Sequence, residues 1–157
     1  MFRPMRRFKQ QLSENECKEI LNKSKSGVLA VIGDDGYPYA VPLSYVYLNN
    51  KIYFHSAKEG HKVDAIAIND KVSFCVVAKD DVVPEELTTY FKSVIIFGKA
   101  KKLEGDELRN TAIQLGLKYY NNENAVKKEV EAALNRMLCY EINIEHISGK
   151  QAKELIK

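Results

Sequence analysis

The chain of 157 residues has no tryptophan, only four prolines and only three cysteines. Cys17, Cys75 and Cys139 are widely spaced and odd in number, and no C-x-x-C pair occurs, which argues against a zinc site or a dithiol exchange motif. Cys75 and Cys139 lie in the apolar runs SFCVV and MLCYEI and read as reduced core residues. No apolar run reaches transmembrane length, and the N-terminus lacks the apolar centre of a signal peptide, so a cytoplasmic chain with no membrane partner is expected. Charge of one sign is also in short supply. A formal net charge of +3 suits a small anionic ligand and falls well short of a dedicated nucleic-acid binder. There is no G-x-S-x-G elbow, P-loop or dinucleotide fingerprint, which removes the common hydrolase and nucleotide-loop readings. Repeats and low-complexity segments are absent, and the length fits a single domain over 1–157.

What is present is strand alternation. GVLAVIG (27–33), YPYAVPLSYVYL (37–48), KIYFHS (51–56), KVSFCVVA (71–78), TTYFKSVIIFGKAKKL (88–103) and MLCYEINIEHISG (137–149) read as strands. DDG (34–36) and NNK mark tight turns between the first of them. DDVVPEEL (80–87) reads as a loop, and Gly98 as a bulge. Odd positions from Tyr37 to Tyr47 are all bulky, yet Val46 and Leu48 are apolar too. One face therefore meets a core and the other something large, such as a helix, a ligand or a second subunit. Pro38 and Pro42 cannot donate to a ladder, which suggests an edge or opening.

Helices are expected at SENECKEILNKSK, with a Ser13/Glu16 capping box, at HKVDAIAIN (61–69), with Val63, Ile66 and Ala67 on one side, and at GDELRNTAIQLGLKYY and NENAVKKEVEAALNR. The last two carry Leu108, Ala112, Leu115 and then Val126, Val130, Ala133, Leu134 as buried stripes. The whole is mainly β with α: a six-stranded antiparallel barrel with flanking helices.

The chemistry concentrates where the third strand ends, in YFHSAKEGHK (53–62). Ser56 offers a hydroxyl, Lys58 and Lys62 offer ammonium groups, and a helix starting near His61 would present free amides. That combination suits an anion such as a phosphate, and Gly60 lets backbone approach a ligand closely. A solvated polar turn is the plain alternative reading. His55 and His61 do not have the spacing of a helical metal pair and lack a third ligand, so no metal is expected. His146 reads as structural. Asp34/Asp35, Asp80/Asp81 and Glu85/Glu86 read as solvated turns, and the tyrosines as packing rather than base-stacking residues. The basic start, with Arg3, Arg6, Arg7 and Lys9, reads as solvated or docked on the protein, so no nucleic-acid partner is expected.

Taken together, GYPYAVPLSY, YFHSA–GHK and YFKSVIIFGKA, in this order, resemble the FMN-binding split β-barrel proteins related to pyridoxamine 5′-phosphate oxidase. Among these the motifs are most like the 5-nitroimidazole antibiotic resistance proteins, and the resemblance runs from MRRF to EHISGK. It implies a six-stranded split barrel, a homodimer, and FMN in clefts at the subunit interface. On that resemblance His55, Ser56, Ala57, His61 and Lys62 would hold the phosphate. Pro42, Leu43, Ser44 and Tyr45 would run along the isoalloxazine, and Tyr90, Ser93 and Val94 would approach it from the partner subunit. No catalytic residue is named, because the flavin carries the redox chemistry.

True pyridoxamine phosphate oxidases carry a basic C-terminal segment that grips the substrate phosphate. EHISGKQAKELIK has no arginine, which points away from vitamin B6 oxidation. The expectation is an FMN-dependent oxidoreductase of the nitroreductase type, acting on a small electron acceptor such as a nitroimidazole with NAD(P)H as donor. The alternatives are a deazaflavin or haem in the same cleft, or a non-catalytic flavin-binding sensor.

Overall fold

A computed structural model describes residues 1–157. The chain opens with helix α1 (Glu14–Lys23), whose start is fixed by the expected capping box: Glu16 N–H donates to Ser13 Oγ at 3.2 Å and Ser13 N–H donates to Glu16 Oε2 at 2.8 Å. Cys17 and Leu21, one turn apart, are its buried residues. Strand β1 (Ser26–Ile32) follows, then a turn in which Asp35 and Gly36 both have positive φ, and β2 (Pro38–Ser44) returns alongside β1. A short β3 (Val46–Leu48) pairs with β4 (Lys51–Ala57) across Asn49 and Asn50, which sit at φ 51° and 59°. Two successive left-handed residues are what a two-residue hairpin requires, and asparagine tolerates them.

After helix α2 (His61–Ile68), β5 (Lys71–Val83) and β6 (Thr88–Leu103) form a long hairpin. Helices α3 (Gly105–Tyr119) and α4 (Glu123–Ala133) come next, and β7 (Met137–Gln151) closes the sheet. The strand order is β2-β1-β5-β6-β7-β4-β3 in a seven-stranded antiparallel sheet. The two edge strands, β2 and β3, are separated in sequence by Tyr45 alone. The sheet must therefore curl until its edges meet at that residue, which makes it a split barrel.

The stretch 37–48, expected as one strand, is broken there, and the sixfold count becomes seven. The backbone leaves its pairing with β1 at Ser44 and takes up pairing with β4 at Val46. A second difference lies at 80–83: those residues continue β5 and pair with 88–91 of β6, with only Pro84–Glu86 turning. Polar Asp80 and Asp81 masked a ribbon whose strands need no buried face. Gly98 is the expected bulge. The β6–β7 register shifts between Phe97 and Gly98, and a Cβ at Gly98 would collide with the Asn143 carbonyl oxygen.

Inside the barrel, Leu29, Phe54, Phe74, Val76, Val94, Ile96 and Ile142 are fully buried, with Leu21 of α1 and Ala65 and Ile66 of α2 closing over them. Helix α2 turns Ala65 inward with Ile66, and not Ala67, which is exposed. Each such aliphatic or aromatic side chain contributes on the order of 1.5–3 kcal/mol. A second cluster lies outside the barrel. There Ala112 and Leu115 of α3 and Val126 and Val130 of α4 pack on Val46, Leu103 and Cys139. The two helices thus cover the outer face of β3, β4 and β7.

The outer face of β2, β1, β5 and β6 has no such cover. One ladder row across it reads Pro42, Val28, Cys75, Ile95, and the next reads Ala40, Ala30, Ser73, Phe97. Val28, Ile95 and Phe97 are exposed at 36%, 40% and 40%. Cys75, expected in the core, belongs to this outer row and is only half-buried. No helix is long and apolar enough to cross a membrane.

Candidate functional site

Strand alternation divides the sequence-derived candidates before any distance is considered, because neighbouring residues point to opposite faces. On β4, Ile52, Phe54 and Ser56 face inward and are buried, whereas His55 and Ala57 face outward and are exposed. Ser56 Oγ donates to the Ala57 carbonyl at 2.9 Å, so its hydroxyl is used locally. On β2, Pro42 and Ser44 face outward, while Leu43 packs against the core. Tyr45 is fully buried, and its hydroxyl donates to the Leu21 carbonyl at 2.7 Å.

Ser44 and His55 line one cavity of about 310 Å³ at the split in the barrel. Its remaining walls are Met137 and the inner side of α3: Ala112, Leu115, Gly116, Tyr119 and Tyr120. The wall is mostly apolar with a few convergent polar groups, the usual make-up of a small-molecule site. The cavity wall takes the outward-facing His55 imidazole partly out of water, and this desolvation, with the nearby Lys62 ammonium, lowers its pKa below the ordinary histidine value. The ring is therefore neutral at neutral pH and can donate or accept one hydrogen bond.

Lys62 stands in the first turn of α2. That helix starts at Gly60 with φ 148°, a conformation side chains rarely adopt, and no side chain caps it. Its leading amides lack intrahelical acceptors and carry the positive end of the helix dipole. His61, by contrast, is occupied: its Nε2 accepts from the Asp34 amide at 3.3 Å and its ring packs on Tyr39 at 4.2 Å between centroids. Its imidazole ties α2 to the β1–β2 turn through Nε2.

Tyr90, Ser93 and Val94 lie elsewhere. Val94 is fully buried in the core, and the Tyr90 hydroxyl donates to Glu86 Oε2 at 2.7 Å within its own hairpin. Ser93 pairs with Val77 and with Lys150. It stands on β6, three strand spacings from Ser44 on β2, or roughly 14 Å across the sheet. It does not line the Ser44–His55 cavity.

Two residues of the site escaped the sequence. Tyr45 sits where the chain changes pairing partners, so neither its N–H nor its C=O has a ladder partner. Tyr119 Oη accepts the Tyr45 N–H at 3.1 Å and donates to the Lys25 carbonyl, and Lys118 Nζ donates to the Tyr45 carbonyl at 2.8 Å. The same ammonium sits 3.8 Å above the Tyr45 ring. Burial pushes its pKa down to about 8. In LGLKYY these residues read only as the polar end of an amphipathic helix.

The fold and the site define a split barrel with a mostly apolar cavity at its break, where Lys62 of α2 lies near the His55 imidazole. The chain belongs to the pyridoxamine 5′-phosphate oxidase family, whose model matches residues 13–151. An uncharacterized protein of Rhizobium meliloti (strain 1021) is 29% identical over 96 residues, and the match spans 61% of this chain and 58% of that protein. An FAD-binding protein from Mesorhizobium loti is 26% identical with a TM-score of 0.63, over 91% of this chain and 97% of its own. Two structures at 19% identity share the fold. One is a candidate 5-nitroimidazole antibiotic resistance protein from Bacteroides thetaiotaomicron, with a TM-score of 0.74 and coverage of 90% and 86%. The other is the FAD and heme binding protein from Mycobacterium smegmatis, with a TM-score of 0.77 and coverage of 92% and 74%.

Proposed function

We propose that the chain is an FMN-binding oxidoreductase that passes electrons to a small acceptor such as a nitroimidazole, with its flavin held between two copies of the chain. The observation that carries this reading is the cavity shared by Ser44 and His55, with the Lys62 ammonium of the uncapped helix α2 near the His55 imidazole. The donor set fits the group: a cation and free amides for a phosphate, an apolar wall for a ring, and a neutral imidazole at the junction. The similarity to an FAD-binding protein supports a flavin as the cofactor class.

In this reading Lys62 and the α2 amides offset the phosphate charge, and His55 supplies a neutral hydrogen bond next to it. The backbone of Pro42–Tyr45 lies along the ring, and Ser44 presents its hydroxyl to the cavity. The flavin, when bound, supplies the redox chemistry, and the protein supplies orientation and the exclusion of water. NAD(P)H is the proposed electron donor.

The uncovered face of β2, β1, β5 and β6 supports the dimer. Its rows are uncharged and mostly apolar; the Pro42–Val28–Cys75–Ile95 row stays open, while Phe2 of the N-terminal arm stacks on Phe97 of the next at 5.5 Å between ring centroids. A two-fold contact there would cover the exposed apolar side chains and bring the partner's Ser93 region toward the Ser44–His55 cavity.

The test is a titration of purified protein with FMN, followed by fluorescence and the visible spectrum. Saturable uptake is expected, and Lys62→Ala should weaken it by about 10- to 100-fold, the loss of a charge-assisted hydrogen bond, with an unchanged fold by circular dichroism. No uptake of FMN, or a deazaflavin or haem spectrum from protein as purified, contradicts the FMN assignment. Bound FMN without turnover of nitro compounds or quinones by NADH or NADPH contradicts the enzymatic one.

A further inference from the structure

Lys118 is an expensive residue for the fold. Its ammonium is half-buried and has no carboxylate partner among the ion pairs of the molecule. It is held by one carbonyl, that of Tyr45, and by the faces of the Tyr45 and Tyr119 rings at 3.8 and 5.4 Å. A methionine would fill similar space without the desolvation cost. Such a group makes sense where the chain must fix something that packing alone leaves loose.

That something is the break in the barrel. Between Ser44, which pairs with β1, and Val46, which pairs with β4, the peptide groups of Tyr45 have no strand to bond to. The last turn of α3 replaces the missing strand with two side chains: Tyr119 Oη accepts the N–H, and Lys118 donates to the C=O, which Tyr119 Oη also approaches at 3.0 Å. Tyr119 is anchored in turn on the Lys25 carbonyl, just before β1, so one hydroxyl ties β1, the break and α3 together. Ser44, immediately before the break, and Tyr119 itself both line the cavity assigned to the flavin.

We propose that Lys118 and Tyr119 are positioning residues: they hold the Ser44–Tyr45 backbone in the one orientation that lets it lie along the flavin ring. This rests on the reading of the cavity as the flavin site and adds to it a device supplied by α3. Neither residue touches the reacting atoms. They act through the peptide groups on either side of Tyr45, and they do so at some cost in stability.

The experiment compares full-length wild type with Lys118→Met, Lys118→Arg and Tyr119→Phe, using FMN as probe. It reads the dissociation constant, the visible band shape of bound FMN, the melting temperature of the apoprotein, and amide exchange at Tyr45. Lys118→Met and Tyr119→Phe should bind FMN about tenfold more weakly, the first by taking the ammonium from the Tyr45 carbonyl and the second by leaving the Tyr45 N–H and the Lys25 carbonyl without the phenol. The bound spectrum should shift toward that of free FMN. Lys118→Arg, which keeps a donor, should recover most of the affinity. Lys118→Met should melt no lower than wild type at pH 7, an outcome that a merely structural role would not give.

Wild-type affinity and spectrum in both weakening variants overturn the proposal, as does an affinity loss that only tracks a fall in melting temperature. If Lys118→Met does not fold, Tyr119→Phe, which removes one hydroxyl, decides. If wild type takes up no FMN, the functional reading falls separately. The device is then judged on the apoprotein: faster Tyr45 amide exchange in Tyr119→Phe supports it, and an unchanged rate overturns it.

Discussion

His55 and Lys118 are titratable groups whose surroundings move them in ways that can be measured one residue at a time. His55 carries a lowered pKa because partial desolvation and Lys62 both disfavour the imidazolium. A phosphate dianion placed beside it would reverse the second of these influences. In the apoprotein, the His55 ring resonances should titrate below the ordinary histidine midpoint, and saturation with FMN should move that midpoint up. An unmoved midpoint would place the phosphate away from His55.

For Lys118 the folded pKa of about 8 lies below the unfolded lysine value of about 10.4. The unfolded chain therefore holds more protons between these values, and this group's contribution to stability rises with pH across that window. Below pH 8 the charged form costs stability in full. Lys118→Met should thus melt a few degrees higher than wild type at pH 7, and the gap should close as pH approaches 10. Differential scanning fluorimetry across pH checks this, and a gap independent of pH contradicts it. Burial also pushes the Cys17 and Cys139 thiols up to about 11. Their stability contributions are lost at alkaline pH in both proteins alike, so they cancel in the difference.

Among the elements, β6 shows how one residue can set the course of a strand. Gly98 sits at its bulge, where the Asn143 backbone leaves no room for a Cβ. Gly98→Val should lower unfolding free energy by about 2–3 kcal/mol, measured by urea denaturation, and a neutral result would mean that the bulge can shift register. This bulge was legible in the sequence because a glycine interrupts an otherwise bulky strand. The Ser13/Glu16 cap and the four helices were legible for similar local reasons: spacing and end signals sit within a few residues of each other. The division at Tyr45 was not. Nothing in YPYAVPLSYVYL marks where hydrogen bonding passes from β1 to β4, since that depends on residues distant in the chain. The same holds for Lys118 and Tyr119, whose partners at Tyr45 lie far away in sequence. Strand parity, which turns His55 outward and Ser56 inward, follows from the strand assignment itself. The cradle motif read as a string hides it, because adjacent letters look like adjacent ligands.

The molecule as a whole divides its outer surface between two kinds of cover. Helices α3 and α4 close over β3, β4 and β7, and the rows through Val28, Cys75 and Ile95 stay open. A carboxylate introduced at Val28, already 36% exposed, should be tolerated by the isolated fold and rejected by a close apolar contact between copies. Val28→Glu should therefore elute as a monomer with wild-type far-ultraviolet circular dichroism, and it should lose FMN affinity along with the partner. A Val28→Glu protein that remains dimeric would move the interface elsewhere.

The claim at the centre is that two chains together hold the flavin. Native mass spectrometry of the full-length protein saturated with FMN tests it most directly, because subunit and ligand counts are read from one ion. The expected species is a dimer carrying two FMN molecules, with protein monomers largely free of ligand. A monomer that retains FMN, or a dimer that takes up none, would contradict it.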